Sequence, residues 1–127
     1  MKLKEVRKQE WTILAICEDR GTCDFYTWLA ELPENIRDSI NALFDRVATS
    51  GSPKNTEISH QIDEHIWQWT PQRDVRIAWF YDKGKLIIIS HGFEKHGQKT
   101  KESDRSRARA AYEAYLKAKK NGQIEII

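Results

Sequence analysis

The run Ile66 to Thr100, IWQWTPQRDVRIAWFYDKGKLIIISHGFEKHGQKT, decides how this chain folds. It divides into three β-rich segments, roughly Ile66 to Thr70, Val75 to Tyr81 and Lys85 to Phe93, each dense in aromatic and β-branched residues. Pro71 to Asp74 and Asp82 to Gly84 supply the turn residues between them. Links this short join only antiparallel neighbours, so the spacing predicts a three-stranded meander. Period 2 in Val75 to Tyr81 puts Val75, Ile77, Trp79 and Tyr81 on one face, expected to be core beneath helices. Arg76, Ala78 and Phe80 fall on the other, expected to be the open face. The third segment ends in a loop that gathers His91, Lys95, His96, Lys99 and Lys101, with Glu94 as its only acid. Cations and imidazoles at the end of a buried strand can grip phosphates and move protons near neutral pH, which makes this loop the candidate site.

Upstream, Trp11 to Glu18 (WTILAICE) reads as a first strand, with the charged Lys2 to Glu10 as a poorly ordered lead-in or an extension of it. Asp24 can cap a short helix carrying Phe25, Trp28, Leu29 and Leu32. Pro33 opens a second helix whose Ile36, Ile40, Leu43, Phe44 and Val47 form one apolar stripe. Thr49 to Thr56 (TSGSPKNT) is a loop by composition. Downstream, a last helix starting near Thr100 or Ser103 presents Ala108, Ala111, Tyr112, Tyr115 and Leu116 on one face. Its outer face carries Arg105, Arg107, Arg109, Lys117, Lys119 and Lys120, and Asn121 and Gly122 end it. Ile124 to Ile127 offers a short edge strand. The expected order is β-α-α-β-β-β-α: an α+β domain, residues 1–127, with helices on one face of a mostly antiparallel sheet.

At 127 residues the chain is long enough to bury roughly two thirds of its unfolded surface in one core. Five tryptophans, four tyrosines and four phenylalanines furnish it. The net charge of +2 is unevenly placed: residues 1–93 hold 12 Lys and Arg against 14 Asp and Glu, residues 94–127 hold 9 against 5. A basic C-terminal end points to a polyanion or an acidic partner. No apolar run approaches the roughly 18 residues that cross a bilayer, and Ile13 to Cys17 is too short for a secretion signal, so no membrane is expected. Cys17 and Cys23 read as buried free thiols, in keeping with a reducing cytoplasm. His60 and His65, beside Asp63 and Glu64, read as surface-loop residues that could catch a metal adventitiously.

Taken together, Trp67; Arg76, Ile77, Trp79, Phe80 and Tyr81; Gly84; Leu86 to Ile89; and His91, Gly92, Phe93, Lys95, Gln98, Lys99 and Thr100 resemble the core signature of the RelE/ParE toxin superfamily. The resemblance is to its phage-derived, HigB-like branch and covers roughly residues 62–116. The chain departs from that pattern with His96 in place of a second lysine, Gly97 in place of threonine and Lys101 in place of proline. Trp69 stands where an arginine is common, with Arg73 four residues later.

The resemblance implies a RelE-like fold and the toxin of a type II toxin-antitoxin pair. It would be a metal-free, cofactor-independent endoribonuclease, an mRNA interferase that cleaves mRNA, commonly on the ribosome, by attack of a 2'-hydroxyl on the adjacent phosphate. A cognate helix-turn-helix antitoxin would restrain it. Arg76, Lys95, His91 and His96 are the catalytic candidates on this reading, and Arg73, Lys99 and Lys101 the substrate-binding ones. Each has a plainer reading. Arg76 can be a solvated strand residue, Lys95 and Lys99 ordinary loop lysines, His91 a structural residue bonded to backbone, and His96 a phosphate contact, an acid or merely exposed. Trp67 and Trp69 can stack on RNA bases, or serve the core or an antitoxin contact. Two alternatives from other classes stand beside the nuclease: a ParE-like toxin that poisons gyrase, and a non-catalytic phage accessory binding protein.

Overall fold

A computed structural model describes residues 1–95, 97 and 99–127. In chain order the elements are β1 (Lys2–Lys8), β2 (Thr12–Cys17), α1 (Asp24–Ala30), α2 (Glu34–Ser50), β3 (Ser59–Gln61), β4 (Trp67–Gln72), β5 (Val75–Asp82), β6 (Leu86–Glu94), α3 (Glu102–Lys120) and β7 (Glu125–Ile126). The strands form one mixed sheet in the order β3-β4-β5-β6-β2-β1-β7. Neighbours from β3 to β6 run antiparallel, so the expected meander stands at the centre. The N-terminal hairpin joins it through a parallel pairing of β2 with β6, and β7 adds to β1 in parallel. The fold is α+β with a mostly antiparallel sheet.

The charged lead-in is a strand because Leu3 and Val6 supply buried anchors, with an irregularity in pairing between Glu5 and Arg7 that shifts the phase. The strand β3 lay in a segment expected to be loop. Three residues carry too few side chains to show a period.

Both faces of the sheet are covered. Ile13, Ala15, Ile77, Trp79, Ile87 and Ile89 pack with Phe25 of α1 and Ile40, Phe44 and Val47 of α2. The alternate residues Leu14, Ala78, Phe80 and Ile88 pack with Ala108 and Tyr115 of α3. The face of β5 expected to be open is therefore roofed by α3. The uninterrupted apolar run Leu86 to Ile89 is the mark of a strand buried on two sides. Within α3, Ala108, Tyr115 and Ala118 face inward, whereas Leu116 is exposed.

Two local features order the α1 side. The free thiols expected at Cys17 and Cys23 are instead joined as a disulfide, their Cα atoms 4.1 Å apart. Backbone bonds from Glu18 N–H to Thr22 C=O (2.7 Å) and from Gly21 N–H to Glu18 C=O (2.8 Å) fold the chain back between them. Cys23, and not Asp24, then occupies the N-cap of α1. On β6, a Cβ built at Gly92 would lie 2.3 Å from the Trp28 ring, so the absence of a side chain lets α1 sit against the strand. No helix among the described residues is long and apolar enough to cross a membrane.

Candidate functional site

The antiparallel register of β5 with β6 sets Arg76 beside Phe93 and Val75 beside Glu94, and Lys95 N–H continues the ladder to Asp74 C=O at 2.8 Å. By alternation, His91, Phe93 and Lys95 share the face that Arg76 and Ala78 occupy. α3 leaves the end of β6 by the segment 95–101 and returns across this face. Its first turn therefore meets the strand end from which the cations project.

Arg76 is only 8% exposed. Its guanidinium donates to the carbonyls of Arg73 (2.6 Å), Val75 (3.2 Å) and Gln72 (3.4 Å), and at 3.5 Å to that of Gly97. Gly97 has φ +104°, a conformation open chiefly to glycine, and it turns its carbonyl toward Arg76. Burial lowers the pKa of Arg76, opposed by the Asp74 carboxylate, but a guanidinium stays charged. Lys95 is also 8% exposed. Desolvation lowers its pKa first, then repulsion from Lys101 and Arg76, with Asp104 pulling the other way. Neither side chain forms a salt bridge among the described residues.

The remaining expected residues fall into two groups. Arg73 lies exposed in the β4–β5 turn, and Lys99 and Lys101 are exposed between β6 and α3. His91, by contrast, is 2% exposed beneath α3, with Nδ1 2.8 Å from Ser90 Oγ and Nε2 3.1 Å from Asp104 Oδ1. Burial, then the charge of Arg107, lowers its pKa against the Asp104 bond, disfavouring the charged ring. Both nitrogens are engaged inside the fold. His96 lies outside the described residues, as does Gln98.

A groove of about 430 Å³ opens beside Arg76, lined by Thr56, Glu57, His60, Gln68 and Thr70. A smaller polar recess of about 230 Å³ continues past His60 to Lys99, Thr100 and Arg105. Thr100 Oγ1 donates to Gln68 Oε1 at 2.6 Å and ties the loop to β4. Reading the sequence assigned no site role to Gln68 or Thr70, named Thr100 only within a motif and as a helix start, and took His60 for a surface-loop residue. Gln68 and Thr70 alternate with Trp67 and Trp69, and that polar phase within an aromatic strand was the available signal.

The basic outer face of α3 is largely neutralised. Arg105 pairs with Glu102 (3.2 Å), Arg107 with Asp24 (4.0 Å) and Lys119 with Asp82 (2.9 Å), while Arg109 bonds Asp63 and Glu102. Besides the exposed Lys117 and Lys120 near the end of α3, cations gather at the ends of β5 and β6. Among the described residues, no group of three or more His, Cys, Asp or Glu is gathered to hold a metal ion.

Fold and site together define a small α+β domain with a groove lined by the buried Arg76 and a second buried cation, Lys95, at the neighbouring strand end. Residues 27–113, about two thirds of the chain, match the family model described as Phage derived protein Gp49-like (DUF891), and the chain belongs to that family. No curated protein matches it. The family match corrects the reading drawn from the His-Gly-Phe and Gln-Lys-Thr motifs. The RelE/ParE assignment, with its HigB-like branch, is replaced by the Gp49-like one. The endoribonuclease, or mRNA interferase, activity and the gyrase reading that rested on it fall with it. The motif residues have local reasons independent of that chemistry: Gly92 makes room for Trp28, and His91 joins β6 to α3.

Proposed function

We propose that this protein is a non-catalytic, phage-derived accessory protein that binds the phosphate backbone of a nucleic acid at Arg76, in its groove, and the neighbouring Lys95. One observation carries the reading: two cations, each 8% exposed, stand close enough to repel one another with no carboxylate salt-bridged to either among the described residues. Desolvation of both cations outweighs the pull of the nearby Asp74 and Asp104 carboxylates, and an arriving phosphate adds negative charge where the two repel one another. Arg76 is held by backbone carbonyls in a fixed pose, so little side-chain entropy is lost when an anion docks. Arg73, Lys99 and Lys101, all exposed, add positive charge that supports a backbone running on either side.

The test is fluorescence anisotropy with labelled RNA and DNA 12-mers across a salt series. The wild type should bind with an affinity that falls steeply with salt. Arg76→Ala and Lys95→Ala should each weaken binding about tenfold for every sequence tried and lower the salt slope by about one. Wild-type protein that fails to bind at low salt, or variants that bind as wild type does, would overturn the reading.

A further inference from the structure

Beyond the phosphate groove lies a cleft that its cations do not explain. The loop following α2 folds against β3 and β4 and leaves a space of about 510 Å³, within the range of small-ligand sites. Its walls include Trp67, Tyr81 and Pro53. The Trp67 and Tyr81 rings meet edge to face, centroids 5.8 Å apart and planes at 72°, and Tyr81 is 40% exposed. Polar atoms converge beside these surfaces. Ser52 Oγ lies 2.7 Å from Ser59 Oγ and accepts from Trp69 Nε1 at 3.0 Å. His60 Nδ1 is buried and has no hydrogen-bond partner among the described residues.

The cleft belongs to the phase of β4 that carries Trp67, and the groove to the phase that carries Gln68 and Thr70. They meet at Thr56 and His60, on and beside the three-residue edge strand β3. A chain rounding this edge has cations on one side and aromatic rings with polar atoms on the other. The geometry points to a pocket for an unpaired nucleobase, whose strand continues across β3 onto Arg76 and Lys95, with His60 contacting the ligand at the crossing. Flat rings accept any base by stacking, while a base already paired in a duplex is not free to enter. The inference rests on the groove reading above and names its ligand as single-stranded.

The experiment compares three RNA decamers by anisotropy: a single strand, the same strand with abasic positions, and a duplex. The wild type should bind the single strand about tenfold more tightly than the abasic strand or the duplex. Tyr81→Ala, which lines the cleft and not the groove, should reduce single-strand affinity toward the abasic level while leaving abasic affinity and the salt slope unchanged, whereas His60→Ala, at the crossing, should weaken binding of both strands. Thermal melts identify any variant that has lost its fold, and His60, on an edge strand, is the safer of the two. Equal wild-type binding of the single and abasic strands overturns the pocket and leaves the groove standing. Binding of none of the three overturns the groove and the pocket with it.

Discussion

At the scale of single residues, similar side chains acquire different work from where the fold sets them. Arg76 and Lys95 are as buried as many core residues, yet Arg76 lines a groove and Lys95 stands near it at the end of β6, whereas Lys119 at a helix surface is spent on Asp82. His91 shows the same dependence. Its folded pKa lies below the ordinary imidazole value of about 6.5, because burial and Arg107 disfavour the charged ring. Between the folded and unfolded values, the unfolded chain binds more protons. The contribution of His91 to stability is therefore complete above about pH 6.5 and is lost as pH falls toward the folded value. Thermal melts from about pH 7.5 to about pH 5 should show Tm falling, and His91→Gln should flatten part of that slope. A slope unchanged in the variant would show that other groups carry it.

At the scale of elements, β6 organises the molecule. It pairs with β5 on one edge and β2 on the other, and both its faces are covered. Its contact with α1 turns on Gly92, where a methyl group would meet Cε3 and Cζ3 of Trp28 at 2.3 Å. Gly92→Ala should cost about 1–3 kcal/mol, as overpacking does. Adding Trp28→Leu should return part of that loss, which a double-mutant cycle by denaturant melts would read. Additive costs would show that the strand does not need the close approach. The same logic explains why α3 roofs the opposite face: Ala108 lets the helix approach, and Tyr115 fills the space over Phe80 at 5.4 Å between ring centroids.

At the scale of the whole molecule, a sheet packed on both sides couples the helices through shared strands. The tryptophans Trp69 and Trp79 report on the α1 and α2 side, while far-UV dichroism weights the 17- and 19-residue helices α2 and α3 on opposite faces. The two signals should follow one transition in denaturant. Helix signal lost before tryptophan fluorescence would mark α3 as a separately melting unit. Charge also looks different at this scale. The excess of Lys and Arg after residue 93 suggested a broadly basic end, but ion pairs with acids from elsewhere in the chain neutralise much of α3. What remains is Lys117 and Lys120 on α3 and the cations beside Arg76.

The sequence by itself determined the elements whose signals are local. The meander was legible because turn residues and β-branched runs act over a few positions, and α2 and α3 because their apolar stripes repeat with the helical period. Arg76 and Lys95 stood out in the sequence through the period-2 phase of β5 and a resemblance since corrected, and no local signal showed that either is buried. Tertiary structure alone decided what depends on neighbours distant in the chain. Leu3 became a strand residue by pairing with Ile16, and the Arg76 face was closed by a helix beginning at Glu102. His60 was brought to the junction of groove and cleft by pairing opposite Gln68. The physical reason is that a residue's type limits the bonds it can make, but its burial and its counter-charges come from segments that only packing brings within reach.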